Sequence, residues 1–176
     1  MHIFSEKIKV KKFSIHPTTS KAKEALFNIL NNSISFNEIK VLDLFCGMGG
    51  ITYGFASRGV SKIRSVDSNK YCIEYINKYI KSFHFNYKIR TLQCDVFDFI
   101  RKRVSFSYDL IFADPPFRIN FKKLYYLIDV LIFKKWIKKK GLIVIEHYDK
   151  INTFSKFIQY KETRKYGKVH FTFLKI

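Results

Sequence analysis

A chain of 176 residues is about one domain's worth of sequence, long enough to bury a sizeable core. Apolar residues make up 47% and aromatics 18%, which excludes a disordered or disulfide-scaffolded chain, and no apolar run approaches the roughly 18 residues of a membrane span. Basic residues outnumber acidic ones 33 to 14, a formal net charge of +19 that points to a polyanionic partner, because each neutralised phosphate releases condensed counterions.

Residues 1–16 read as a short basic arm with β-prone character, in which Lys7, Lys9, Lys11 and Lys12 alternate with Ile8 and Val10. From Pro17 the periodicity is helical: Ala22, Ala25, Leu26, Ile29 and Leu30 share one face, and Thr18, Thr19 or Ser20 is available as N-cap. Short apolar runs then alternate with amphipathic segments. Ile39 to Phe45 is a strand, followed by a glycine turn and a helix over about Ile51 to Arg58, closed by Gly59. Lys62 to Val66 is the second strand, Asn69 to Ser82 a helix, Tyr87 to Cys94 the third strand, and Val96 to Arg103 a short helix. Tyr108 to Ala113, a helix at Phe121 to Phe133 and a strand at Gly141 to His147 follow, with Lys138-Lys139-Lys140 as a solvated turn. Phe157 to Glu162 and Val169 to Lys175 pair across a turn near Gly167.

Apolar strands alternating with helices predict a mostly parallel sheet covered on both faces, with the closing hairpin as an antiparallel edge. Seven strands in a single α/β domain over residues 17–176, preceded by the arm, is the expected architecture. Cys46, Cys72 and Cys94 are widely spaced and odd in number, so they read as reduced side chains with no metal site. Met1 to Lys7 lacks the apolar stretch of a secretory signal, and the basic residues are scattered rather than gathered on one amphipathic helix. Cytoplasm is the expected compartment, with no membrane attachment, and a nucleic acid is the favoured partner.

Ligands of open parallel sheets sit beyond the carboxyl ends of the strands. Each of the first four strands here ends in a residue suited to that place. The first carries Asp43-Leu44-Phe45-Cys46-Gly47-Met48-Gly49-Gly50, whose glycines permit a tight turn and close backbone approach; Thr52 stands at the third dinucleotide-binding glycine position, and no Gly-Lys-Ser/Thr phosphate loop follows. Asp67 ends the second strand and suits the hydroxyls of a ribose, while Asp95, before Val96 and Phe97, suits an adenine amine. Singly, each acid is as well explained as a helix cap or a solvated loop residue.

The fourth strand ends in Asp114-Pro115-Pro116-Phe117. That tetrapeptide supplies a carboxylate, a carbonyl whose direction proline rings stiffen, and an aromatic ring, which together suit a planar base bearing an exocyclic amine. Asp114 and the Pro115 carbonyl accept the two N–H groups, and Phe117 stacks on the ring.

The glycine loop, Asp67, Asp95 and Asp114-Pro115-Pro116-Phe117 together resemble the class I S-adenosylmethionine-dependent methyltransferases that modify amines. His16-Pro17-Thr18-Thr19-Ser20-Lys21-Ala22-Lys23-Glu24-Ala25-Leu26-Phe27-Asn28-Ile29-Leu30 is very similar to the helix that opens the RsmD family, and Leu42 to Phe45, Phe55 to Gly59 and Lys165-Tyr166-Gly167 also fit it. Members of that family methylate the exocyclic N2 of one guanine in small-subunit (16S) ribosomal RNA. The resemblance implies a Rossmann-like class I fold, with S-adenosylmethionine as cofactor and Asp43, Phe45, Gly47, Gly49, Asp67, Asp95 and Val96 around it. It implies ribosomal RNA, within a ribosomal particle, as the substrate; a monomer is the default expectation for a chain of this size. The arm here is shorter than the family's and lacks glycine, His16 replaces the usual Arg, and Gly50 replaces a bulkier residue.

Guanine's amine is a weak nucleophile because its lone pair is delocalised, so two acceptors on its hydrogens favour the pyramidal nitrogen that attacks. Asp114 orients and stabilises; proximity to the sulfonium methyl does the rest. RNA affinity is expected from the arm, His16, Thr18, Lys21, Lys23 and Arg118. A DNA amino-methyltransferase shares such a pocket but normally adds a target-recognition segment. An assembly factor without catalysis does not explain four strand-end acids, and a nicotinamide dehydrogenase does not explain Asp-Pro-Pro-Phe.

Overall fold

The first helix, α1, covers Ser20–Asn31 and buries Ala22, Leu26, Phe27 and Leu30. A computed structural model of the protein describes residues 20–85, 88–117, 119–148, 154, 157 and 159–176. The basic arm, His16, Thr18 and Arg118 lie outside these residues. One 3₁₀ turn at Phe36–Glu38 leads into β1 (Lys40–Leu44). Then come α2 (Gly50–Ser57), β2 (Lys62–Asp67), α3 (Lys70–Ser82), β3 (Ile89–Gln93), α4 (Val96–Arg101), β4 (Tyr108–Ala113), α5 (Phe121–Phe133) and β5 (Ile137–His147). The antiparallel strands β6 (Tyr160–Tyr166) and β7 (Val169–Lys175) close the chain.

These strands form a seven-stranded sheet in the order β3-β2-β1-β4-β5-β7-β6. The first five are parallel; β7 pairs antiparallel with β5, and β6 with β7. This is the mixed α/β sheet that the strand–helix alternation predicts. One face is covered by α1, α2 and α3, through Leu26, Phe27, Phe55 and Ile76 among others. The other is covered by α4 and α5, through Phe99, Ile100, Leu124, Leu127 and Leu131.

The contact between α1 and α2 depends on Gly54, where an added Cβ would fall 2.3 Å from the ring of Phe27. Phe27 meets Phe55 edge-on at 5.0 Å, the geometry that aromatic quadrupoles prefer. This close packing holds α1 against the face from which Asp43 projects. Winding reverses between β1 and β4, which are neighbours in space though α2, β2, α3, β3 and α4 separate them in sequence. The Asp114 N–H donates to the Leu44 carbonyl at 3.3 Å, tying the two tips together at that switch point.

The boundaries that differ most from the sequence reading are those of β5 and β6, while α4 ends at Arg101 rather than Arg103. β5 begins at Ile137, so Lys138, Lys139 and Lys140 belong to a strand rather than a solvated turn. Strand pairing carries the run: Tyr108 is opposite Ile137, with a register shift before Leu110 meets Leu142, and Lys138 Nζ reaches Asp109 Oδ1 at 2.7 Å. β6 starts at Tyr160 rather than near Phe157 and continues to Tyr166, because the turn at Gly167 sets Tyr166 opposite Val169. No helix among the described residues is long and apolar enough to cross a membrane.

Candidate active site

Between β1 and α2 the chain makes a tight loop that only glycine suits at one point. Gly49 has φ +81 and caps α2, and a Cβ there would lie 2.9 Å from Ile76 Cγ1. Left-handed backbone without a Cβ is what glycine supplies. Phe45, at φ +59, takes the same region without that freedom, a strained conformation at the strand tip. Gly47 differs again: at φ +49 a Cβ would meet nothing within 4 Å, so the outer side of the loop faces open space.

Asp67, half-buried at the end of β2, anchors this loop. Its Oδ2 accepts the Gly47 N–H and its Oδ1 the Asn69 N–H, each at 2.8 Å. Such backbone bonds hold the carboxylate in place while lone pairs remain for a hydroxyl-bearing ligand. Asp95 is exposed at the start of α4, where its Oδ1 accepts the N–H groups of Phe97 (2.8 Å) and Asp98 (3.2 Å). It is therefore an N-cap as well as a strand-end acid, and Val96 behind it is buried. The rings of Phe45 and Phe97 meet edge-to-face at 6.2 Å.

Asp43 is placed differently from its neighbours. It is 1% exposed and lies beneath the loop rather than in the open space beside Gly47. Thr52 Oγ1 donates to its Oδ2 at 2.5 Å and pairs with Ser65 Oγ at 2.7 Å. The residue at the third glycine position thus serves as a buried hydroxyl for the β1 acid. Burial pushes the Asp43 carboxyl up to about 7; the Thr52 bond opposes that rise, and the charges of Asp67 and Glu146 add to it.

Asp114-Pro115-Pro116-Phe117 stands at the tip of β4. Asp114 is half-buried, Pro115 buried and Phe117 48% exposed. The Ile119 N–H donates to the Pro116 carbonyl at 2.8 Å and closes the turn. Phe117 packs against Tyr148, with ring centroids 3.9 Å apart at 48°, so one side of the ring expected to stack on a base is already covered. Burial holds the Asp114 carboxyl well above the usual carboxylate range, and the charges of Glu146 and Asp43 reinforce this.

Two residues at this tip, Glu146 and Tyr148, escaped the sequence reading, and a third, Lys23, was expected to contact RNA. Glu146, near the end of β5, is fully buried; Tyr148 just beyond it donates to Glu146 Oε1 at 3.3 Å. Lys23 of α1 is half-buried, its Nζ 3.3 Å from where a Cβ on Gly50 would sit. Burial lowers the pKa of that amine, and the charge of Glu146 opposes the shift. Lys23 therefore turns toward the acids, whereas Lys21 is exposed. The rule that located Asp67 and Asp95, an acid at the carboxyl end of an apolar strand, applies equally to Glu146 in Gly-Leu-Ile-Val-Ile-Glu-His.

A groove of about 600 Å³ lined by Asn31, Ser33, Phe36, Asn37 and Arg58 lies at the amino ends of the strands, away from these residues. No cluster of metal-ligating side chains occurs among the described residues.

Strand order, switch-point loop and flanking helices define a Rossmann-like class I methyltransferase fold. An RNA methyltransferase from Salinibacter ruber, solved in complex with S-adenosyl-L-homocysteine, shares it with a TM-score of 0.71 over 92% of this chain and 94% of that one, at 12% identity. The family described as "Conserved hypothetical protein 95" matches residues 3–175, and the chain belongs to that family. Ribosomal RNA small subunit methyltransferase D of Buchnera aphidicola subsp. Acyrthosiphon pisum is 30% identical over 156 residues, spanning 85% of this chain and 79% of that protein. The protein of the same name from Buchnera aphidicola subsp. Baizongia pistaciae is 28% identical over 165 residues, or 90% and 80%.

Proposed function

We propose that the chain transfers a methyl group from S-adenosylmethionine to the exocyclic N2 amine of a guanine in small-subunit ribosomal RNA. The observation that carries this reading is the placement of Asp114-Pro115-Pro116-Phe117 at the tip of β4, hydrogen-bonded to the tip of β1 beside the glycine loop. Family membership supplies the enzyme class, the cofactor and the ribosomal RNA substrate.

The residues present fit the cofactor. Open space at Gly47 leaves room against the backbone, and Asp67 and Asp95 are acceptors for hydroxyl and amine groups. Phe45, Val96 and Phe97 offer apolar surface to an adenine ring between those acids. When bound, the cofactor supplies an electrophilic methyl on a sulfonium centre. Asp114 and the Pro115 carbonyl take the two hydrogens of the target amine as acceptors, which favours the pyramidal nitrogen. Phe117 holds the base by stacking, once the base has left its neighbours in the RNA. Ionised Asp114 then receives the proton that the alkylated amine sheds.

The +19 net charge supports association with phosphate backbone, and the arm, His16, Thr18, Lys21 and Arg118 are the residues assigned to it. The substrate is RNA held in a ribosomal particle, and the enzyme acts as a monomer in the cytoplasm.

The test is mass mapping of methylated nucleotides after the purified protein acts with labelled cofactor on small subunits, naked 16S rRNA and duplex DNA. One N2-methylguanine in the small-subunit RNA is expected. Asp114→Ala should lower transfer by about 100- to 1,000-fold, as removal of a group stabilising developing charge does, with cofactor-product affinity nearly unchanged. Methylation of DNA in preference to RNA would overturn the substrate, and wild-type turnover in Asp114→Ala would overturn the site.

A further inference from the structure

The cluster behind the Asp114 tip holds more acid than a binding pocket alone requires. Ala113 of β4 is in register with Ile145 of β5, and both face the α4–α5 side. One residue further along each strand, the alternation of a parallel pair turns Asp114 and Glu146 together to the opposite side. Asp43 of β1 projects from that same face, between Leu42 and Leu44, which face the other way. Three carboxyl groups from three adjacent strands therefore crowd one buried corner, with the amine of Lys23 from α1 opposite Glu146. Tyr148 adds a phenol that donates to Glu146. His147 lies between Glu146 and Tyr148 in sequence but turns away, its Nε2 bonded to Thr172 Oγ1 at 2.8 Å.

A fully buried ionisable side chain beside an apolar run such as Leu142 to Ile145 costs stability unless its charge has a use or a partner. Like charges in one dry corner cannot all be present at once, so the protons are shared among them. We propose that Glu146 is a positioning residue for methyl transfer, its carboxyl group lying beside Asp114 across the β4–β5 pair and governing whether Asp114 is ionised when the target amine arrives. This rests on the reading above that Asp114 grips that amine.

The state of Asp114 matters because an ionised carboxylate only accepts hydrogen bonds, whereas a protonated one places an O–H donor against the N–H groups it should receive. Transfer is thus fastest once Asp114 has lost its proton, and Glu146 holds that loss at a higher pH. The same bias leaves Asp114 ready to retain the proton released after transfer. Asp43 acts in the same direction from β1, and Asp67 of β2 acts on Asp43.

The experiment is the pH profile of kcat for wild type, Glu146→Gln and Glu146→Asp at saturating cofactor. Glu146→Gln removes the charge and keeps an acceptor for Tyr148, so the acid limb should move to lower pH by about one unit, the size of shift a neighbouring like charge produces. Glu146→Asp keeps the charge, and its limb should stay near that of wild type. A residue needed only for packing would lower kcat without moving the limb. A second measurement uses the unaltered protein: the ¹³C resonance of the Asp114 carboxyl, assigned by its loss in Asp114→Asn, should titrate in two steps as Glu146 ionises beside it. An unmoved limb in folded Glu146→Gln, or a single Asp114 titration step in the ordinary carboxylate range, would overturn the proposal. Wild-type turnover in Asp114→Ala would instead remove the pocket reading itself, so the two failures are distinct.

Discussion

At the tip of β2, Asp67 accepts two backbone N–H groups at 2.8 Å and pins the glycine loop. One strand over, Asp43 is buried to 1% exposure, bonded by the Thr52 hydroxyl and surrounded by the charges of Asp67 and Glu146. The two acids are chemically the same, and the fold gives them opposite surroundings. Around β2 and β3 the acids are tied to backbone donors and present a rigid polar rim. On the face shared by β1, β4 and β5 the acids are desolvated and repel one another, which makes their protonation responsive to whatever binds. On the function proposed above, holding the cofactor and tuning a proton are separate tasks in neighbouring parts of one crevice.

The sharpest way to break that comparison is Asp43→Asn. A carboxyl that titrates near 7 when folded and near 3.8 when unfolded holds its proton better in the fold. Its stabilising contribution is present below the unfolded value and is lost as pH rises through the folded one. Asn does not titrate, so Asp43→Asn should gain stability over wild type between about pH 5 and about pH 8 by a few kcal/mol, roughly two pKa units' worth. Guanidinium denaturation of both proteins at the two pH values, without cofactor, reads this directly. A pH-independent difference would mean that burial does not perturb Asp43.

Asp67→Ala tests the other side. Cofactor affinity should fall by about 1.5–3 kcal/mol, the range for bonds to a charged group, and calorimetric titration at constant pH measures it. Unchanged cofactor affinity would remove Asp67 from the site and erase the contrast between the two acids. Smallest is Lys138→Met. The Lys138–Asp109 pair is 42% and 24% exposed, and Asp109 also accepts the Lys40 N–H, so the loss should stay within about 1 kcal/mol in thermal melts.

Much of the backbone plan was legible because parallel strands buried on both faces read as apolar runs, and each run ends in a residue with a distinct chemistry. The glycine loop and the Asp-Pro-Pro-Phe turn were legible for the same reason: their geometry is local. Lys138 to Lys140 were misread because three consecutive lysines look like a solvated turn, yet pairing with β4 and with the chain end carries them into β5. Lys23 was read as an RNA contact because spacing along α1 does not reveal how closely α2 approaches. That closeness depends on Gly54 against Phe27.

By itself the sequence determined the strand–helix alternation, the loop that only glycine allows at Gly49 and the acids at the first four strand tips, since these follow from backbone sterics and hydrophobic period. Tertiary structure alone decided which acids are anchored and which are crowded. Asp43, Asp114 and Glu146 are far apart along the chain, and only the β1–β4–β5 order gathers them on one face. Electrostatic energy depends on distance and desolvation through space, and neither quantity is written in the order of residues.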